Sequence, residues 1–328
     1  MTAMGKGSTH ALSMVVLALL VALPLSVSSA DDVRATIVQQ KSGTQATLMG
    51  VYFRNAALGW AVGGGGTLLK TVDGGRKWKK VPSGTSTLLT AVLFVDDRKG
   101  WAVGANGTVR YSADGGETWG PQLVSSQSPL YGIFFVSAKY GWIVGGAGTV
   151  LHTMDGGTTW TDQTSGTSAN LHAVHFVNDQ RGMIVGALGT ILSTQDGGAT
   201  WTAQGNQESA TFFDVFLTDE SNGWAVGNAG ALFQTTDGGA HWIDRTLPCG
   251  RTCNKLTDLI RIRFTGQQHG WIVGERGFIL KTSNAGFNWI EQPNPVKRSF
   301  LGLSFPNPSH GWAAGENGAI VRIEYPNQ

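Results

Sequence analysis

Between residues 48 and 305 one apolar signature, spaced L-x-x-V-x-F, recurs seven times. It reads Leu48/Val51/Phe53, Leu89/Val92/Phe94, Leu130/Ile133/Phe135, Leu171/Val174/Phe176, Phe212/Val215/Leu217, Leu259/Ile262/Phe264 and Phe300/Leu303/Phe305. Apolar and polar positions alternate over these short segments, which is the period of a β-strand. Beyond residue 30 no stretch sustains a 3.6-residue period, so helices are not expected. A second marker, Gly-Trp, follows each signature at Trp60, Trp101, Trp142, Trp224, Trp271 and Trp312, with Met183 in the remaining place. A third, D-G-G-x-x-W, begins at Asp73, Asp114, Asp155, Asp196 and Asp237, and each step is 41 residues. It ends in Trp78, Trp119, Trp160, Trp201 and Trp242, and a degraded copy, Asn284 to Trp289, follows after 47 residues.

Each unit predicts four strands. The apolar signature is the first, and Gly-Trp opens the second. A glycine-flanked hairpin such as Gly104-Ala105-Asn106-Gly107 turns into the third, because glycine supplies the positive φ of such turns. The D-G-G turn leads to the fourth, which is expected to start at its Trp. Four strands per repeat of about 40 residues is the signature of a propeller, against the helix pairs of a solenoid. The seventh unit lacks D-G-G-x-x-W, but Ile37 to Thr44 matches Trp160 to Thr167 at an offset of three repeats. The fold class is therefore all-β, a seven-bladed β-propeller of four-stranded blades, with the N-terminal strand pairing into the C-terminal blade to close the ring. Closure removes the sheet edge that would otherwise recruit other strands.

Composition agrees: 47 glycines and 12 tryptophans with only 14% charged residues suit a tight-turned β fold and exclude a disordered chain. Residues 1–30 stand apart from the repeats. Lys6 and His10 precede an apolar run from Ala11 to Leu23, Pro24 breaks it, and Ser28-Ser29-Ala30 offers a cleavage site. This reads as a secretory signal peptide cleaved after Ala30, with a retained membrane anchor as the alternative. It predicts a single propeller domain over residues 31–328 in the periplasm or an equivalent compartment. Cys249 and Cys253, spaced C-x3-C, are then a candidate disulfide in an exported chain.

The Asp-Gly-Gly-Trp motif invites a catalytic reading, which its repetition opposes. An active site needs one constellation, whereas this motif stands five times at equivalent positions. The Asp side chain can bond the N–H groups of its own turn, and the Trp can bury a large apolar area. Segments such as Ser112-Ala113-Asp114-Gly115-Gly116-Glu117-Thr118-Trp119 resemble the Asp-box, or BNR repeat, of sialidases and other propellers. The 41-residue pairing of Gly-Trp-x-V-G with Asp-Gly-Gly-x-x-Trp is similar to the photosystem II stability and assembly factor family, from about Val33 to Gln328. That resemblance implies an exported, non-enzymatic binding or assembly platform that acts on a membrane-protein client, of photosystem II type in a photosynthetic host. A monomer with no cofactor is expected. Similar proteins also occur in bacteria without photosystem II, so the client stays open. The alternative is a carbohydrate-binding or sialidase-like Asp-box propeller. Against it, Arg54 in Tyr52-Phe53-Arg54-Asn55 lacks the Ile-Pro of the sialidase arginine motif, and Tyr325 is the sole tyrosine of the second half.

No metal site is expected. His172 and His175 are three apart, which on a regular strand places them on opposite faces. Gly63 to Gly66 is a hairpin turn rather than a phosphate loop, since no helix follows. Charge is uneven: residues 245–322 hold ten basic and four acidic residues, while the rest of residues 31–328 has the opposite balance. The expected partner surface is a basic face of Arg251, Lys255, Arg261, Arg263, Arg276, Lys297 and Arg298 over blades five to seven, with Arg261 and Arg263 towards the channel. An anionic lipid surface could meet the same patch. Nucleic acid is not expected, because the chain is exported and nearly neutral.

Overall fold

Seven innermost strands stand side by side around an axis: Leu48–Phe53, Leu89–Phe94, Leu130–Phe135, Leu171–Phe176, Phe212–Leu217, Leu259–Phe264 and Phe300–Asn307. Each packs against the next and the seventh against the first, so the ring is closed. The computed structural model describes residues 1–2, 34–204, 210–246 and 257–325. Leader residues 3–30, Cys249, Cys253, Arg251 and Lys255 lie outside the described residues.

Every innermost strand begins a four-stranded antiparallel sheet, and blades one to six use four consecutive strands each. Blade seven takes its outer strand from the other end of the chain. Thr36–Lys41 pairs with Ala319–Glu324, with Thr36 opposite Glu324 and Lys41 opposite Ala319. This is the closure expected from the Ile37 to Thr44 match. The fourth strand starts one residue later than expected, at Gly120 in blade two rather than at Trp119.

The repeated aromatics form one joint seven times over, with variations. The Gly-Trp indole lies flat on the phenyl ring that ends the next blade's innermost strand. Centroids are 3.6 Å apart for Trp60–Phe94 and for Trp312–Phe53, and 3.5 Å for Trp142–Phe176. The Asp-box Trp then meets that phenyl edge-on, as in Phe94–Trp119 at 5.7 Å and 88°. Stacked and edge-to-face pairs each add to the burial of large rings. The glycine before the Trp is required here, since a Cβ on Gly100 would sit 2.5 Å from the Phe94 ring. Where Met183 replaces the Trp, the facing position in blade five is Leu217 rather than Phe, and the two pack in one cluster.

The innermost strands are not regular. In all seven the pairing register slips after the first residue, as between Leu48 and Gly50 or between Leu171 and Ala173. This β-bulge inserts one unpaired residue, which is why Leu and Val three positions apart pack on one side. It also corrects the reading of the two histidines. His172 is the inserted residue and His175 lies three beyond it, and both reach blade five instead of opposite faces. His172 Nδ1 lies 2.8 Å from the Phe212 carbonyl oxygen, and the Leu217 N–H donates to His175 Nδ1 at 3.3 Å.

Candidate functional site

The inserted bulge residues line the mouth of the axial channel. They are Met49, Thr90, Tyr131, His172, Phe213, Ile260 and Leu301, one from each blade, and they ring a cavity of about 290 Å³ together with Asp258 and Arg261. Apolar and aromatic groups dominate this cup. It shares Met49, Thr90, Tyr131, His172 and Arg261 with a second cavity of about 380 Å³ deeper along the axis. The next residue of each strand is small in five blades: Gly50, Ala91, Gly132, Ala173 and Gly302. A Cβ on Gly302 would meet the Val51 nitrogen at 2.8 Å, so neighbouring strands approach here as closely as the backbone allows. Blades five and six place Asp214 and Arg261 at this level instead.

Asp214 is 4% exposed and fully engaged with blade six. Its Oδ2 accepts the Ile262 N–H at 3.0 Å and an Arg263 Nη1 hydrogen, forming an ion pair. Arg261 has no such partner. Its Nη1 donates to two carbonyl oxygens, those of Phe213 at 3.1 Å and Ile260 at 3.0 Å. Burial pulls its guanidinium below its ordinary value, the Asp214 charge opposing this and the Arg263 charge adding to it. Burial likewise lowers His172, and it pushes His175 down to about 3 with help from Arg263. His175 is thus a neutral ring wedged between Phe134 and Phe216.

The expected basic face divides in two. Arg261 and Arg263 are channel residues rather than members of an outer patch. Arg276, Lys297 and Arg298 are exposed on turns at one end of the propeller. Arg276 sits at the tip of a hairpin with φ of 54°, and Gly277 beside it is so close to the next inter-blade loop that a Cβ would meet the Val296 oxygen at 1.9 Å. Asn294 completes the contact by donating to the Gly277 carbonyl and accepting the Val296 N–H. The three cations therefore share a surface over blades six and seven. Among the described residues none of them forms an ion pair. Glu275 and Glu316 stand on neighbouring hairpins, and Glu316 Oε2 accepts the Ser299 N–H at 3.1 Å. The cup opens on this same end, because each hairpin bonds to the residue just before an innermost strand, as Gly64 N–H does to the Thr47 oxygen.

The Asp-box turns dock at the opposite end, against the loops joining first and second strands, as in the Gly74 N–H bond to Ala57. Their carboxylates are spent internally. Asp155 Oδ1 accepts the Thr153 hydroxyl at 2.8 Å and the Thr159 N–H at 2.9 Å, and Oδ2 accepts the Thr159 hydroxyl at 2.6 Å. The Thr159 hydroxyl, then its N–H, hold this carboxyl down to about 2. Asp114 and Asp196 repeat the arrangement, Asp237 does so with His241 in place of the threonine, and at Asp73 the equivalent Lys77 gives only its N–H. Tyr325 is remote from the channel, packed with Trp271 and Ile323 beneath the Lys281 ammonium.

A sequence profile described as "Photosynthesis system II assembly factor YCF48" matches residues 4–111, 81–165 and 206–294, more than half of the chain. No curated protein matches it significantly. A structure described as YCF48 bound to D1 peptide is 20% identical, with a TM-score of 0.74 over 90% of this chain and 96% of that one. YCF48 from Cyanidioschyzon merolae is 19% identical, with a TM-score of 0.72 over 88% of this chain and 99% of that one. A streptogramin B lyase reaches 0.74 at 14% identity, over 89% and 98% of the two chains, which reflects the shared fold.

Proposed function

The chain belongs to the photosynthesis system II assembly factor family, and from that premise we propose that it is an exported, non-enzymatic platform that docks a loop or terminus of a membrane-protein client. The observation that carries the reading is the cluster of three exposed cations, Arg276, Lys297 and Arg298, on one end of a rigid ring. An arginine fork can hold a carboxylate through two parallel bonds, and a basic rim steers an acidic segment into place. The five Asp-box carboxylates support the non-enzymatic reading, since each is consumed by its own turn. A similar propeller described as bound to D1 peptide supports a peptide segment as the docking element. The apolar leader at residues 1–30 supports export. In a photosynthetic host the client is of photosystem II type.

Crosslinking and co-purification from the native cell envelope test this, with an Arg276→Glu/Lys297→Glu/Arg298→Glu variant run in parallel. The expected result is one enriched membrane protein that the folded variant loses. Equal retention by both forms sinks the docking face. Glycan binding or hydrolysis by the purified chain moves the assignment to the carbohydrate-active alternative.

A further inference from the structure

The axial cup has a feature that its bulged strands alone do not require. Six of its seven ring positions present an apolar or aromatic surface, and His172 is held neutral by burial. Into that surface projects one guanidinium. Arg263, two residues further along the same strand, satisfies its charge on Asp214, and Asp258 at the rim uses Oδ1 to accept the Ala229 N–H at 2.8 Å. Arg261 meets only backbone carbonyls, and among the described residues its Nε and Nη2 hydrogens have no acceptor. A half-buried cation whose nearest carboxylate, Asp214, is already bonded to Arg263 is only partly compensated, and that cost is relieved by an anion that brings its own apolar body.

We propose that the cup is a binding site for a monocarboxylate carrying an apolar group, with its carboxylate paired to Arg261 and its body against Phe213, Ile260 and Leu301. At about 290 Å³ it lies at the small end of ligand pockets, which run to roughly 300–1,000 Å³. That size fits a short aromatic or aliphatic acid, or the C-terminal residue of a peptide. Both sources present the same chemistry. The cup is separate from Arg276, Lys297 and Arg298, so its failure leaves the docking surface standing.

Calorimetric titration of the purified chain decides the matter with two matched pairs. One is 4-phenylbutyrate against 4-phenylbutanol, and the other is Gly-Gly-Ala-Leu as free acid against its C-terminal amide. The expected result is saturable binding of at least one acid, with its uncharged partner weaker by about tenfold or more. Binding by the small acid alone identifies a free metabolite, and binding by the peptide acid alone identifies a chain terminus. Arg261→Gln abolishes the preference for the acid, and Arg261→Lys keeps part of it. The unaltered protein already decides if the Gln variant fails to fold. Equal affinity for acid and uncharged partner, or no binding of either acid at millimolar concentration, overturns the proposal.

Discussion

His175 shows how one buried side chain sets a pH dependence. Its ring is neutral in the fold, held down to about 3 by burial first and the Arg263 charge second. The unfolded chain binds that proton near the ordinary value of about 6.5, so the unfolded state gains protons first as pH falls. Stability from this residue is complete above pH 6.5 and is lost on the way down, by about 2 kcal/mol at pH 5. His152, His172 and His269 are lowered by burial too and add to the same slope. The melting temperature is therefore expected to fall by about 5 °C from pH 7 to pH 5. His175→Asn, which keeps an acceptor for the Leu217 N–H, should flatten that step, and an unchanged profile would refute the assignment. A second step belongs to the Asp-boxes. Asp155, Asp196 and Asp237 are held to about 2, the first two foremost by threonine hydroxyls and the third by the His241 N–H. Their contribution is present above the unfolded value of about 3.9 and drains away towards pH 2. Asp155→Asn should lower Tm at pH 7 yet reduce the drop between pH 4 and pH 2, as read by calorimetry.

The hairpins between second and third strands are built alike in every blade. Both central residues have positive φ, the requirement of a type I′ turn. The second is always glycine, from Gly66 to Gly318, while the first is Gly65, Asn106, Ala147, Leu188, Ala229, Arg276 or Asn317. A leucine pays roughly 1 kcal/mol for the left-handed region, and asparagine much less. Leu188 is also 77% exposed, so nothing in its packing offsets that strain. Leu188→Asn should raise stability by about 1 kcal/mol in denaturant unfolding, and Asn106→Leu should lower it by a similar amount. These hairpins and the strands were legible in the sequence because turn chemistry and alternation are local. The bulge was legible only in part. The spacing of three between Leu48 and Val51 departs from strict alternation, and that departure is the sign of an extra residue. Read as plain alternation, it hides the inward turn of Met49 and its equivalents, and with it the cup. It also misplaces His172 relative to His175.

At the scale of the molecule, the sequence marked an excess of positive charge and set Arg261 and Arg263 towards the channel, but it could not show which of the two finds a carboxylate. Arg261 and Arg263 differ from Arg276 only by which strand level or turn they occupy, and the fate of Arg263 depends on Asp214 in another blade. Ring closure, by contrast, was written in the match of Ile37 to Thr44 with the other outer strands. It carries the largest expected effect. Thr36–Lys41 covers the edge of Ala319–Glu324, and Ile37 packs against the cluster of Trp271, Leu303 and Ile323. The seam is also tied across blades, since Gln40 Nε2 and Trp312 Nε1 both donate to the Gly74 oxygen, at 2.8 Å and 3.2 Å. Deleting residues 34–44 opens a full strand edge, uncovers apolar side chains and loosens blade seven from blade one. Exposed edges of that kind pair with other chains. The truncated protein is expected to melt lower by roughly 10 °C or more and to self-associate in light scattering. A synthetic peptide of residues 34–44 added in trans should restore both the monomer and most of the lost stability, because the register of blade seven specifies where it binds. A truncated chain that stays monomeric and melts with the intact protein would mean that six complete blades hold the ring and the closing strand is dispensable.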